Sequence, residues 1–230
     1  MSHLRQTIIG WLLLHSVSVL ATAQTGHVLD AIGPVNQSMG GAGTGLPLDA
    51  IGAVHHNPAS ICGLRYSEVS FGFMGFASDT QLSSEIDANA FGPNFPATNL
   101  AGSTKSDSDI SPIPSIALVH KRPDSPWAIG LGGVAIGGFG VDLPATSANP
   151  ILSPQPAQGG WGFGGIYSQF QLMQFSPTVA RSFTNGWSVG FAPTFNWALL
   201  SIAPFSLANP NLDGSYPSGT HADAAWGIGF

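Results

Sequence analysis

Residues 187–199 have the sequence WSVGFAPTFNWAL and carry the clearest structural signal in the chain. Large apolar side chains alternate there with small or polar ones, and this alternation predicts a β-strand with two unlike faces. The apolar set is Trp187, Val189, Phe191, Phe195, Trp197 and Leu199, and the small or polar set is Ser188, Gly190, Ala192, Thr194, Asn196 and Ala198. Pro193 lies on the apolar side and conflicts with continuous pairing of the strand. An apolar outer face and a small, polar inner face are typical of a transmembrane β-barrel.

The same alternation recurs along the chain beyond residue 65. It predicts strands over 66–82, 113–120, 127–141, 169–183 and 187–199, and the start of a sixth strand over 221–230. Short turns are predicted at 121–126 and 184–186, and long loops at 83–110, 142–167 and 203–220. Outer-membrane barrels have long loops outside the cell and short turns in the periplasm, so the loop lengths give the strands an orientation.

The composition agrees with a membrane barrel better than with an ordinary soluble domain. Only 8% of the 230 residues are charged, while 30 are glycine and 18 are proline. Beyond the N-terminus no run of about 18 apolar residues occurs, so the sequence predicts no membrane-spanning helix. The net charge of −6 argues against nucleic-acid binding. Cys62 is the single cysteine, and we interpret it as a small buried residue.

Residues 1–23 have the features of a signal peptide. Arg5 supplies the positive region, residues 8–20 are largely apolar, and Ala21-Thr22-Ala23 matches the small-residue cleavage pattern. The mature chain is expected to begin near Gln24. The sequence therefore predicts an exported protein.

The Gly-rich segment 24–65 shows neither helical nor strand periodicity. Its apolar residues Ile51, Val54, Ile61 and Leu64 favour burial against a scaffold. The alternative is a flexible surface loop, which has no need of those side chains. We expect this segment to fold against, or inside, the structure formed by the strands.

The run SMGGAGTGLPLDAIGAVHHNPASICGL at 38–64, followed by YSEVSFGF, resembles the start of the mature FadL/TodX proteins. These are outer-membrane transporters of long-chain fatty acids and hydrocarbons. The resemblance rests on the Asp49-Ala50 pair and the Asn57-Pro58-Ala59 motif, in that order, before the first strand. It implies an all-β fold: a transmembrane antiparallel barrel of fourteen strands, with 24–65 as a hatch that plugs the lumen.

Residues 66–230 would then supply the first five or six strands of that barrel. Five or six strands are too few to close, and an open edge does not persist in hydrocarbon. We therefore expect the sequence to be the N-terminal part of a larger barrel, cut off mid-barrel. The resemblance implies the outer membrane of a Gram-negative-type bacterium as location, outer-membrane lipid as surroundings, and insertion by the barrel-assembly machinery.

The resemblance also implies roles for individual residues. Asp49, Asn57, Pro58 and Ala59 form the hatch motif, with Asn57 expected to hydrogen-bond the wall and Pro58 to hold an extended backbone. A kinked third strand that opens the wall sideways is assigned to Gly132, Gly133, Gly137 and Gly138; the alternative is that these glycines only relieve crowding. The candidate ligand groove consists of Phe91, Phe95, Trp161 and Phe163; for the aromatics of 142–167 the alternative is an interfacial aromatic girdle.

The predicted function is passive uptake of hydrophobic compounds, with no catalysis. No enzyme motif is present. His55 and His56 are adjacent, and in an extended chain they point to opposite sides, so one metal ion would need a third, nearby ligand; we expect no metal and no cofactor. Only Lys105 lies in a predicted outer loop, which leaves a neutral hydrocarbon as plausible a substrate as a fatty acid. The alternatives are a structural or adhesive barrel and a general porin. The uncharged inward residues Gly190, Thr194 and Asn196 disfavour the porin.

Overall fold

The computed structural model describes residues 28–217 and 221–229, so the predicted signal peptide lies outside the described residues. The described chain is mostly antiparallel β-sheet, which confirms the all-β class. Its strands are β1 (Glu68–Phe76), β2 (Gln81–Ile86), β3 (Leu100–Lys105), β4 (Ser111–Lys121), β5 (Trp127–Leu143), β6 (Ile166–Ser182), β7 (Ser188–Phe191), β8 (Thr194–Ala203) and β9 (His221–Gly229). Two short helices precede them, α1 (Pro34–Ser38) and α2 (Ala50–His56), with 3₁₀ turns at Ala42–Gly45 and Pro58–Gly63; two further 3₁₀ turns, Pro150–Leu152 and Pro156–Gln158, lie between β5 and β6.

The main sheet has the order β1-β4-β5-β6-β8-β9. The short strand β7 also pairs with β6, along the same edge as β8. Neighbouring strands are antiparallel throughout. Within the described ranges, β1 and β9 each pair on one side only. None of the described helices is long and apolar enough to cross a membrane.

A separate hairpin, β2–β3, occupies part of the stretch that was predicted to be loop. The predicted single strand over 66–82 was wrong, because pairing with β4 ends at Phe76 opposite Ser111. The chain then turns away, and β2 pairs only with β3. Both hairpin strands consist largely of small and polar residues, such as Ser83 and Ser103, which is why the sequence pattern resembles a loop.

The predicted strand over 187–199 is divided into β7 and β8 by Ala192 and Pro193. The register pairs Val179 with Phe191 and Phe175 with Phe195, which brings Pro177 opposite Pro193. Neither proline has an N–H group to donate, so the ladder of hydrogen bonds is interrupted at this level. The register is the same on both sides of the gap, and the turn at residues 184–186 is present as predicted, with Gly186 at φ 85°.

One face of the main sheet is covered and the other is exposed. On the covered face small and polar residues alternate with aliphatic ones, for example Ser115, Ala117 and Val119 of β4. The exposed face is apolar on most strands. Its members include Val69, Phe71 and Phe73 on β1, Ile116 and Leu118 on β4, Ile129 and Leu131 on β5, Phe175 and Val179 on β6, Phe195 on β8, and Trp226 and Ile228 on β9.

Residues 28–65, here called the N-terminal segment, cover the inner face of the sheet. Helix α2 contacts β1, β4, β5 and β6, and the 3₁₀ turn Pro58–Gly63 contacts β6 and β7. The shared core consists of Ile32, Ala50, Ile51, Ala53, Val54, Ile61, Cys62 and Leu64 from the segment and Ala117, Val119, Ala128, Val134, Ile136 and Ala180 from the sheet. The prediction that this segment folds against the strands, and is not a free loop, is confirmed for its described part.

Candidate functional site

Two carboxylates meet at the start of α2, Asp49 from the segment and Glu68 from the wall of the sheet. Asp49 caps the helix, its Oδ1 accepting the N–H of Gly52 at 2.8 Å. Glu68 of β1 accepts the N–H of Ala50 at 2.9 Å and the hydroxyl of Ser70 at 2.5 Å. Burial raises the pKa of Asp49, and the charge of nearby Glu68 raises it further against the opposing hydrogen bond from Gly52. At the start of α2, Glu68 therefore makes a direct polar link between wall and segment.

The Asn57-Pro58-Ala59 motif forms its side-chain hydrogen bond within the N-terminal segment. The Asn57 side-chain amide donates to the Thr44 carbonyl at 3.1 Å, so the expectation that it bonds the wall was wrong. Pro58 follows an extended Asn57, at φ −152° and ψ 92°, and begins the 3₁₀ turn Pro58–Gly63, so the expected extended backbone is confined to Asn57. The contact with the wall comes from backbone instead: a Cβ added at Gly190 of β7 would overlap the Ala59 nitrogen and the Pro58 carbonyl carbon.

The glycines predicted to kink the third strand lie in β5, and only some of them lie at its irregularity. Gly132 and Gly133 are regularly paired, whereas the register shifts between Ala135 and Gly137. The prediction of a kink at Gly132 and Gly133 was therefore wrong. A Cβ at Gly132 would lie 2.8 Å from Val54 Cγ1, so its absence makes room for α2. Gly138 pairs with Gln171 beyond the shift, and sideways opening there stays a prediction.

His55 lies in the last turn of α2, where its ring meets Gln174 of β6. Burial lowers its pKa from 6.5 to about 4; neighbouring His56 acts in the same direction, while a hydrogen bond with Gln174 opposes the shift. The ring Nδ1 is buried without a hydrogen-bond partner. His56 differs, because its Nε2 accepts the N–H of Ile32 at 3.2 Å. The histidine pair therefore sits on a helix end, not in the extended chain assumed from the sequence.

We expect attachment of the N-terminal segment to weaken as the pH falls from about 6.5 to about 4. A released His55 takes up a proton near pH 6.5 and a packed one only near pH 4, so stability is present in full above this window and is lost within it. Hydrogen exchange of the α2 amides measures the effect in the full-length protein. His55→Gln should flatten the profile, leaving the contribution of His56 and, with the opposite sign, that of Asp49. An unchanged profile in His55→Gln contradicts this role.

Three of the four predicted groove aromatics come together at the tips of two connections. The ring centroids of Phe91 and Phe95 are 6.0 Å apart, and the Trp161 ring lies 6.0 Å from Phe91 and 6.3 Å from Phe95. We call Phe91, Phe95 and Trp161 the loop aromatic cluster. Phe163 is not part of it, because its ring stacks on Tyr216 at 5.5 Å.

Asn149 joins the two connections that carry the cluster. Its side chain is fully buried; the amide donates to the Leu82 carbonyl at 2.9 Å, and the Oδ1 accepts from the Ser84 hydroxyl at 2.5 Å. The Ser84 hydroxyl in turn accepts the N–H of Ile151 at 3.2 Å. Gly102 completes the contact, because a Cβ there would overlap the Ala148 carbonyl. The β2–β3 hairpin is therefore locked to the 144–165 connection.

The other end of the N-terminal segment is tied down by Lys121. Its ammonium group donates to the carbonyls of Cys62 and Leu64, the latter at 3.1 Å. Cys62 is buried, as interpreted from the sequence, and burial raises the pKa of its thiol. Among the described residues no group of three or more His, Cys, Asp or Glu side chains could hold a metal ion.

Sequence reasoning missed Glu68, Gln174 and Asn149. Glu68 and Gln174 had a usable signal, since each is a polar residue on the small-residue face of an otherwise apolar strand. Asn149 had none, since an asparagine before proline in a loop is an ordinary turn residue. Comparisons of the chain with protein-family models, with curated protein sequences and with solved structures found no match.

Proposed function

We propose that this chain forms part of the wall and the plug of an outer-membrane β-barrel that admits hydrophobic small molecules. The observation that carries the proposal is the two-sidedness of the main sheet. Its exposed face is apolar on most strands, while the opposite face is covered by the N-terminal segment. Apolar patches of this extent on a protein surface mark contact with a membrane or a partner.

The placement of aromatic residues supports a membrane as the contact. Tyr66, Trp127, Phe183 and Trp187 are exposed, and all lie at the end of the sheet that carries the short turns. The Arg181 guanidinium stacks at this end, 5.2 Å from the Trp127 ring centroid and 5.1 Å from that of Phe183. Aromatic girdles with neighbouring cations are typical of the boundary between lipid and water.

The N-terminal segment is the hatch in this proposal, and it has the attachments that a plug requires. Glu68 and Lys121 bind it at two points, and glycines of β5 and β7 let it approach the wall closely. Helix α2 contacts four strands on the covered face of the sheet, and in the proposed barrel this face is the inward one. Closure itself requires strands beyond those described, and the fourteen-strand barrel is part of the proposal.

Movement of the hatch can be tested with a disulfide lock. A Cβ at Gly132 would lie 3.7 Å from Val54 Cβ, within the range of disulfide geometry. The double variant Val54→Cys/Gly132→Cys, in full-length protein carrying Cys62→Ala, should block uptake of a hydrophobic fluorescent probe into vesicles when oxidised. Reduction should restore the uptake.

The single-cysteine variants serve as controls and should transport equally with and without reductant. Unhindered uptake through the oxidised double variant contradicts the moving hatch. A sugar permeability assay on the same vesicles separates the alternatives: rapid sugar entry indicates a general porin, and passage of neither solute indicates a structural barrel.

A further inference from the structure

The loop aromatic cluster has the form of a preorganised surface site. The Phe91 N–H donates to the Phe95 carbonyl at 3.0 Å, and the Asn89 N–H donates to the Pro96 carbonyl at 2.8 Å, so the tip of this connection is closed by its own hydrogen bonds. Asn149 fixes the hairpin below it to the partner connection. Little conformational freedom remains to be lost when a ligand binds.

Trp161 is positioned by its neighbours in a similar way. It lies between Gly160 and Gly162, whose N–H groups donate to the carbonyls of Gln155 and Pro154 at 3.2 and 3.1 Å. A Cβ at Gly160 would overlap the Pro154 carbonyl, so the backbone approach needs glycine there. Phe91 and Phe95 nevertheless remain 59% and 47% exposed. The rings are held in place without being buried, and their outer faces are free to contact a ligand.

The charged residues at the end of the sheet that carries the loop aromatic cluster are almost all acidic. Strand direction places the connections 77–110, 144–165 and 204–217 at one end. In or beside the described parts of these connections lie seven exposed carboxylates, Asp79, Glu85, Asp87, Asp107, Asp109, Asp142 and Asp213. Lys105 is the single described cation there, and its ammonium lies 3.6 Å from Asp79. The other described cations, Arg65, Lys121, Arg122 and Arg181, lie at or beside the short turns of the opposite end.

We propose that the loop aromatic cluster binds uncharged hydrophobic molecules and discriminates against long-chain carboxylates. This inference rests on the proposed function and specifies its substrate class. Exposed aromatic faces supply contact area, but no unpaired Lys or Arg of the described connections is available to bind a carboxylate. Fixed carboxylates at this end repel a bound anion, so we expect them together to lower its affinity about tenfold at low salt.

The test uses two probes that differ only in the head group, pyrene-dodecanol and pyrene-dodecanoic acid, at pH 8 and low salt with full-length protein. Energy transfer to pyrene that is present in wild type and lost in Trp161→Phe reports binding at the cluster. The alcohol should bind about tenfold more tightly than the acid. Phe95→Leu should weaken alcohol binding about tenfold, whereas Phe163→Leu, on the same connection as Trp161 but outside the cluster, should leave it unchanged.

The electrostatic cause has its own controls. Glu85→Gln/Asp87→Asn, and separately 1 M salt, should each bring the affinities for alcohol and acid closer together. Asp124→Asn at the opposite end should not. Tighter binding of the acid, or alcohol binding that survives Phe95→Leu, overturns the inference. Uptake of both probes at equal rates overturns it while leaving the proposed function intact, and binding of the alcohol without any uptake supports the site but contradicts transport.

Discussion

An arginine in place of Ile116 is expected to destabilise the full-length protein in a lipid bilayer by about 2–4 kcal/mol. Ile116 is the central residue of β4, lies on the apolar exposed face, and is paired with Phe71 and Gly133. Its side chain is 46% exposed, so an arginine fits without displacing the core. The cost arises because the guanidinium would enter hydrocarbon with no partner.

Unfolding of the variant by denaturant in vesicles measures this effect. His120→Arg is the matched control, because it lies on the same face of the same strand next to the short turn, where the cost should be about 0–1 kcal/mol. In a sheet exposed to water, the Ile116 variant should change stability by no more than about 0.5 kcal/mol. An effect of that size would therefore contradict the membrane-facing surface.

The alternation of large apolar residues with small or polar ones predicted the main strands well. It arises because one face of the sheet is exposed and the other is covered by the N-terminal segment. On β4 the exposed residues Ile116 and Leu118 alternate with the buried residues Ser115, Ala117 and Val119, and the predicted ranges of β4 and β6 match the observed strands to within three residues. The β2–β3 hairpin was missed for the complementary reason. Where both faces carry small and polar residues, a strand and a loop have the same composition.

Helix α2 was beyond the reach of periodicity because it is seven residues long. Asp49 followed by a run of small apolar residues is the signature of a capped helix start, and it was available in the sequence. The attachments of the segment could not be predicted in the same way. Glu68 contacts Ala50 across 18 residues and Asn149 contacts Leu82 across 67, and no local pattern encodes such pairs.

Glycine roles were predicted by type, but by position only at Gly137, which borders the shift in register. The sequence suggested that glycines in β5 bend the strand, whereas Gly132 leaves room for Val54 and the shift in register begins three residues later. A glycine that bends a strand and one that admits a neighbouring helix look alike until the neighbour is known. The same uncertainty applied to Gly190, which the sequence pattern identified only as a small inward residue.

The close backbone approach of β7 to the N-terminal segment at Gly190 predicts the effect of adding one methyl group. Gly190→Ala would place a Cβ 2.8 Å from the Ala59 Cα and closer still to two backbone atoms, which cannot move as a flexible side chain does. We expect a loss of about 2–3 kcal/mol, with proteolysis of the released segment, in denaturant unfolding of the full-length protein. Gly227→Ala on β9 has nothing within 4 Å of its new Cβ and should be neutral or stabilising by up to about 1 kcal/mol. Equal behaviour of the two variants would mean that the segment does not rest on the wall at β7.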